Sequence, residues 1–65
     1  MTALFFGGAY KFPVAKQVKG CREAIKLALE DSRHPHTIEI GDNHGLIARY
    51  ERKMIRGSYV FCKTG

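Results

Sequence analysis

Sixty-five residues make one small domain, which buries only about 60% of its unfolded surface and has no room for a deep cleft beside a core. Two cysteines are too few for a disulfide framework, and no apolar run approaches the roughly 20 residues that span a bilayer. A net charge of +5 favours polyanions or an acidic protein face as partners, with solubility as the plainer account.

The chain opens on Met-Thr-Ala-Leu-Phe-Phe-Gly-Gly, which lacks the basic segment and the apolar length of a secretory signal. Cytoplasm is therefore the expected compartment, with no membrane partner. Thr2 to Phe6 is short and apolar. The Gly7-Gly8 pair after it suits either a two-residue hairpin or a joint that folds the terminus over a sheet.

From Tyr10 to Lys16 the residues alternate, with Tyr10, Phe12 and Val14 on one parity. Pro13 cannot donate to a ladder, so this strand is expected at an edge, or with its Pro13 side facing out. A rival reading starts a helix at Pro13, because Val14, Val18, Cys21 and Ile25 are helically spaced. Two β-branched residues and Gly20 weigh against it.

The strongest helix signal runs from about Lys19 to Asp31. Cys21, Ile25, Ala28 and Leu29 form its apolar stripe, while Arg22, Glu23, Lys26 and Glu30 take the wet side. Glu23 is placed to help cap its start. Ser32-Arg33-His34-Pro35-His36 breaks the helix, since the residue before a proline avoids helical angles.

Strands are expected at Thr37–Ile40, Leu46–Lys53 and Ser58–Lys63, with turns at Gly41–Gly45 and near Arg56-Gly57. The order is β-α-β-β-β with a possible extra N-terminal strand: an α+β fold of two layers, one helix on a four-stranded, mainly antiparallel sheet. The core is expected to set Ile25, Ala28 and Leu29 against Phe12, Ile38, Ile40, Leu46 and Tyr50. Cys21 and Cys62 are expected as free thiols, placed to become neighbours in that core.

Catalytic patterns are missing. Gly41-Asp42-Asn43-His44-Gly45 resembles the Gly-Asp-x-His-Gly element of metallophosphoesterases, whose Asp and His bind metal, but no second ligand block accompanies it. A hairpin turn explains each of these residues. His34, His36 and His44 lack the paired spacing of a zinc site. The acids are scattered and no glycine-rich loop opens a helix, so neither enzyme activity nor a cofactor is expected.

The last strand, Ser58-Tyr59-Val60-Phe61-Cys62-Lys63, is apolar on both parities. If Val60 and Cys62 face the helix, Tyr59 and Phe61 lie on the uncovered face beside Lys11, Arg49 and Lys53. Those five residues form the expected binding site, suited to a protein partner or to bases stacked on aromatic rings. Burial of that face by Leu4-Phe5-Phe6 or in a homodimer is the competing account. Lys19, Arg22 and Lys26 make a second basic stripe on the helix, with Glu23 and Glu30 spaced to pair with it.

In size and layout the chain resembles the small single-domain proteins with which phages disable host machinery, including CRISPR inhibitors. Its Phe12–Leu29 strand-to-helix run is similar to that of the RNA polymerase inhibitor of T7-like phages. The resemblance implies a non-enzymatic protein that sterically blocks a host protein or nucleoprotein complex. Direct binding of RNA or single-stranded DNA is the alternative, and a ligand-free homodimer a third reading.

Overall fold

A computed structural model describes residues 1–64. The chain runs β1 (Thr2–Gly7), β2 (Tyr10–Gln17), α1 (Cys21–Glu30), β3 (Thr37–Asp42), β4 (Gly45–Ile55) and β5 (Ser58–Lys63). One five-stranded sheet has the order β2-β1-β3-β4-β5, with every neighbouring pair antiparallel. The fold is α+β, but with five strands where four were expected. The N-terminal segment is a central strand of the sheet rather than a flap over it.

The β1–β2 hairpin turns on Gly7 and Gly8, both at positive φ (+86° and +57°), which a residue without a Cβ adopts freely. β2 continues as strand through Pro13, so the helix does not start there. The crossover β2-α1-β3 passes β1, which places β2 and β3 parallel to each other on either side of it. Gly20 is the N-cap of α1 and supplies no side-chain bond. Glu23 instead reaches back to accept from the N–H of Lys19, the residue before the N-cap, at 3.4 Å.

The core lies between α1 and one sheet face. Ala3, Phe5, Val18, Ala24, Ala28, Ile38 and Ile40 are buried together, with Tyr10, Cys21, Ile25, Tyr50 and Phe61 packed against them. α1 lies over β3 and reaches β5. Its buried line is Ala24 and Ala28, small side chains that allow close packing. Leu29 falls one position off that line and is 47% exposed, so it is a rim residue and not the expected core residue.

Two further expected core residues are displaced by bulges. In β4, Ile40 pairs with Ala48 but Gly41 pairs with Leu46, so Ile47 is an extra residue. A one-residue slip reverses every later side chain. Leu46 consequently shares the uncovered face with Gly41 and is 64% exposed. In β2, the step from Val14 to Tyr10 lies opposite only Phe5 to Gly7, and Phe12 in that swollen stretch of edge strand is 76% exposed.

Candidate functional site

β4 outruns β3. Their pairing ends at Thr37 with Glu51, whereas β4 continues to Ile55 against β5. Arg52–Tyr59 therefore forms a two-stranded arm, closed by Arg56 and Gly57 at φ +52° and +81°, the left-handed pair that a tight hairpin turn requires. The arm is tied to the body at its base. The Arg52 N–H donates to the His36 carbonyl at 2.8 Å, and its guanidinium donates to the His34 carbonyl at 3.1 Å.

The register decides which way the arm's side chains point. Arg52 pairs with Phe61 and Met54 with Tyr59, in phase with Tyr50 and Ala48 on the helix side. Tyr59 and Phe61 are thus on the helix side, which corrects their expected placement on the uncovered face. The physical reason is that Phe61 fills the core beside Tyr50, which leaves Val60 and Cys62 to the opposite face. Tyr59 lies beyond the helix end and is 47% exposed, with the Arg52 guanidinium 4.5 Å from its ring centre. The two rim a notch with Ala28, Leu29, His34 and Pro35.

The other expected site residues are dispersed. Arg49 is on the uncovered face, where Glu39 and Glu51 approach it at 3.8 and 3.7 Å. Two carboxylates beside one guanidinium make that patch net negative rather than a basic surround. Lys53 is exposed on the same face but out on the arm. Lys11 is exposed on β2, three strand spacings from β4, roughly 14 Å away. The structure therefore brings Tyr59 and Phe61 together with Arg52 at one notch and sets Lys53 on the arm's other face. It does not gather Lys11, Arg49, Lys53, Tyr59 and Phe61 into one surface.

A charge asymmetry was legible in the sequence but hidden by the even spacing of the cations. No acid follows Glu51. Residues 1–51 carry seven Lys and Arg against six acids, a net of +1, and Arg52, Lys53, Arg56 and Lys63 supply the remaining +4 of the total. The arm is thus a cationic end on an otherwise nearly balanced molecule, with Glu51 at its base, opposite Cys62 of β5 and 3.7 Å from Arg49. The helix stripe Lys19, Arg22 and Lys26 instead shares a shallow groove with Glu23 and Glu30.

Asp31 is the C-cap residue of α1. Its carboxylate accepts from the Tyr10 hydroxyl and from the Arg33 N–H (2.9 Å), with the Lys16 ammonium at 3.9 Å. Burial pushes this carboxyl up, but those hydrogen bonds and the nearby Lys16 and Arg33 charges outweigh it and hold it below the usual value. Burial, reinforced by the Asp31 charge, pushes the Tyr10 hydroxyl up. Tyr50 is likewise raised, by burial and by the neighbouring Cys21 thiol.

Cys21 packs on the core and Cys62 lies on the far sheet face opposite Glu51, so the two free thiols are not the core neighbours expected. The Gly41–Gly45 element is the β3–β4 turn: Asp42 accepts from the His44 N–H at 2.7 Å, and Gly45 has φ +122°. Among the described residues, no three His, Cys, Asp or Glu side chains converge, and no helix is long and apolar enough to cross a membrane. No protein family, curated protein or solved structure matches the chain.

Proposed function

We propose that the chain is a small non-enzymatic binding protein of two layers that inhibits or modulates a larger macromolecular machine by covering a surface on it. The β4–β5 arm makes the contact. The observation that carries this reading is the arm itself: it projects past the sheet, holds four cations with β5 and no acid, and exposes Met54 and Tyr59. Exposed apolar and aromatic area within a single-sign field suits a specific partner better than simple solubility does. The contact surface is accordingly Arg52, Lys53, Arg56 and Tyr59. Of the residues expected from sequence it keeps Lys53 and Tyr59, while Phe61 supports it from the core.

One observation favours nucleic acid as the partner. The Arg52 guanidinium over an exposed Tyr59 ring is a platform on which an unpaired base can stack. Capture by tagged protein, with and without nuclease, separates the two readings. The wild type and Lys19→Glu/Lys26→Glu are expected to retain a nuclease-resistant protein that Lys53→Glu/Arg56→Glu loses. Loss of all bound material on nuclease treatment favours the nucleic-acid reading. Equal capture by both double variants removes the arm from the mechanism.

A further inference from the structure

The sheet has two outer edges, and they differ. β2 carries Pro13, Lys11 and Lys16 and an irregular register, all of which discourage the addition of another strand. β5 carries neither proline nor bulge, and its six residues pair with β4 in unbroken register. The Thr64 N–H donates to the Arg49 carbonyl across β4 at 2.9 Å. Backbone groups alternate sides along a strand, so Cys62, Val60 and Ser58 also turn toward β4. Tyr59, Phe61 and Lys63 turn their N–H and C=O groups away from the sheet. A regular row of peptide groups is left open on a strand that is already fully paired with its inner neighbour.

We propose that this outer edge of β5 takes an extended, acidic segment of the partner protein as a sixth strand. The inference deepens the reading of the arm as a contact surface and rests on it. Main-chain bonds to Tyr59, Phe61 and Lys63 supply affinity, as in other cases of strand addition. Selection comes from charge: Lys63 is on the receiving strand and Arg52, Lys53 and Arg56 are on its hairpin partner and turn, where the one acid, Glu51, is already beside Arg49 at 3.7 Å. An acidic segment is drawn in and a basic one repelled, which also disfavours a second copy of the same cationic edge. Tyr59 and Val60 offer apolar side chains on the two faces for the alternate residues of the incoming strand.

The test uses a fluorescent peptide of about eight residues alternating Glu and Val, a length matched to a strand. Its companions are a Lys–Val counterpart, a version N-methylated at every residue, and an oligo-dT strand. Binding of the Glu–Val peptide should slow hydrogen exchange at the Tyr59, Phe61 and Lys63 amides. Tyr59→Pro should weaken it about tenfold beyond Tyr59→Ala, the scale of one lost hydrogen bond at its upper range. If Tyr59→Pro does not fold, the N-methylated peptide makes the same comparison on the wild type, because methylation removes the bonding groups from the other strand.

Equal binding of the methylated and unmethylated peptides, or a bound peptide that leaves those three amides unprotected, overturns strand addition. So does oligo-dT binding in place of the peptide, or a dimer in which the same amides are protected without peptide. Should every peptide fail while Lys53→Glu/Arg56→Glu still abolishes protein capture, the arm reading stands and the acidic strand falls. Should that variant also capture normally, both fall together.

Discussion

An added Cβ at Gly8 would come within 2.0 Å of the His34 carbonyl oxygen and 2.6 Å of that of Arg33. The turn is pressed against the loop after α1, where the Ala9 N–H also donates to the Arg33 carbonyl at 2.9 Å. Neither neighbour is the tip of a flexible side chain. Gly8→Ala should therefore cost more than the roughly 1–3 kcal/mol of a strained backbone conformation alone, read as a lower urea midpoint. A loss under half of the lower figure would mean that the hairpin and the loop separate easily. The Asp31 cluster beside that loop gives a pH signature. A lowered carboxyl contributes stability above its unfolded value near about 4, and the contribution disappears as pH falls through the lower native value. A raised hydroxyl at Tyr10 does the reverse: its share is present below about 10 and is lost as pH rises through the higher native value. Asp31→Asn should thus be less stable than wild type at pH 7, with the gap closing toward pH 3. A gap that stays constant across that range would show that the carboxylate's charge is not what stabilises the cluster.

At the scale of elements, the helix is anchored through its smallest residues. Ala24 and Ala28 are buried, Ile25 is half-buried beside them, and Leu29 is at the rim. Ile25→Ala should cost about 2–3 kcal/mol and Leu29→Ala under about 1, whereas Ala28→Leu should destabilise by about 1–3 through overpacking. Thermal midpoints of the three variants check the order, and a larger loss at Leu29 than at Ile25 would put the wrong helix face on the sheet. These differences also mark what sequence reasoning reaches. The helix, the Pro13 strand and the alternation of Ile38 and Ile40 are legible, because each follows from local geometry, whereas Gly7-Gly8 suits a hairpin and a joint equally. The fifth strand is ambiguous in the sequence, since Thr2–Phe6 is apolar on both parities. Leu46 and Phe12 were misplaced because a bulge depends on the register of a partner strand, to which single-strand alternation is blind. Tyr59 and Phe61 were misplaced for a related reason. Ser58–Lys63 offers an apolar set to either face, and only packing against Tyr50 chooses between them.

At the scale of the whole molecule, the long dimension of 36 Å exceeds the roughly 8 Å over which charge acts at physiological salt. A distant polyanion therefore meets local patches, and the total of +5 is a poor guide to its affinity. The body's cations are matched by six acids, and the arm with β5 has none. This makes a prediction that needs no knowledge of the natural partner. Lys53→Glu/Arg56→Glu and Lys19→Glu/Lys26→Glu each change the net charge by the same amount, from +5 to about +1. If charge acted as a total, both would leave a heparin column at the same salt concentration. The arm pair should elute much earlier than the helix pair, because Lys19 and Lys26 already stand among Glu23 and Glu30, while Lys53 and Arg56 lie past Glu51, the one acid of β4 and β5, which is already 3.7 Å from Arg49. Circular dichroism at the elution salt confirms that both remain folded, and both pairs are exposed, so neither substitution touches the core. Co-elution of the two folded variants would show that the basic charge is diffuse. The arm would then lose its claim as the organised contact surface, and with it the reason to expect an acidic segment along β5.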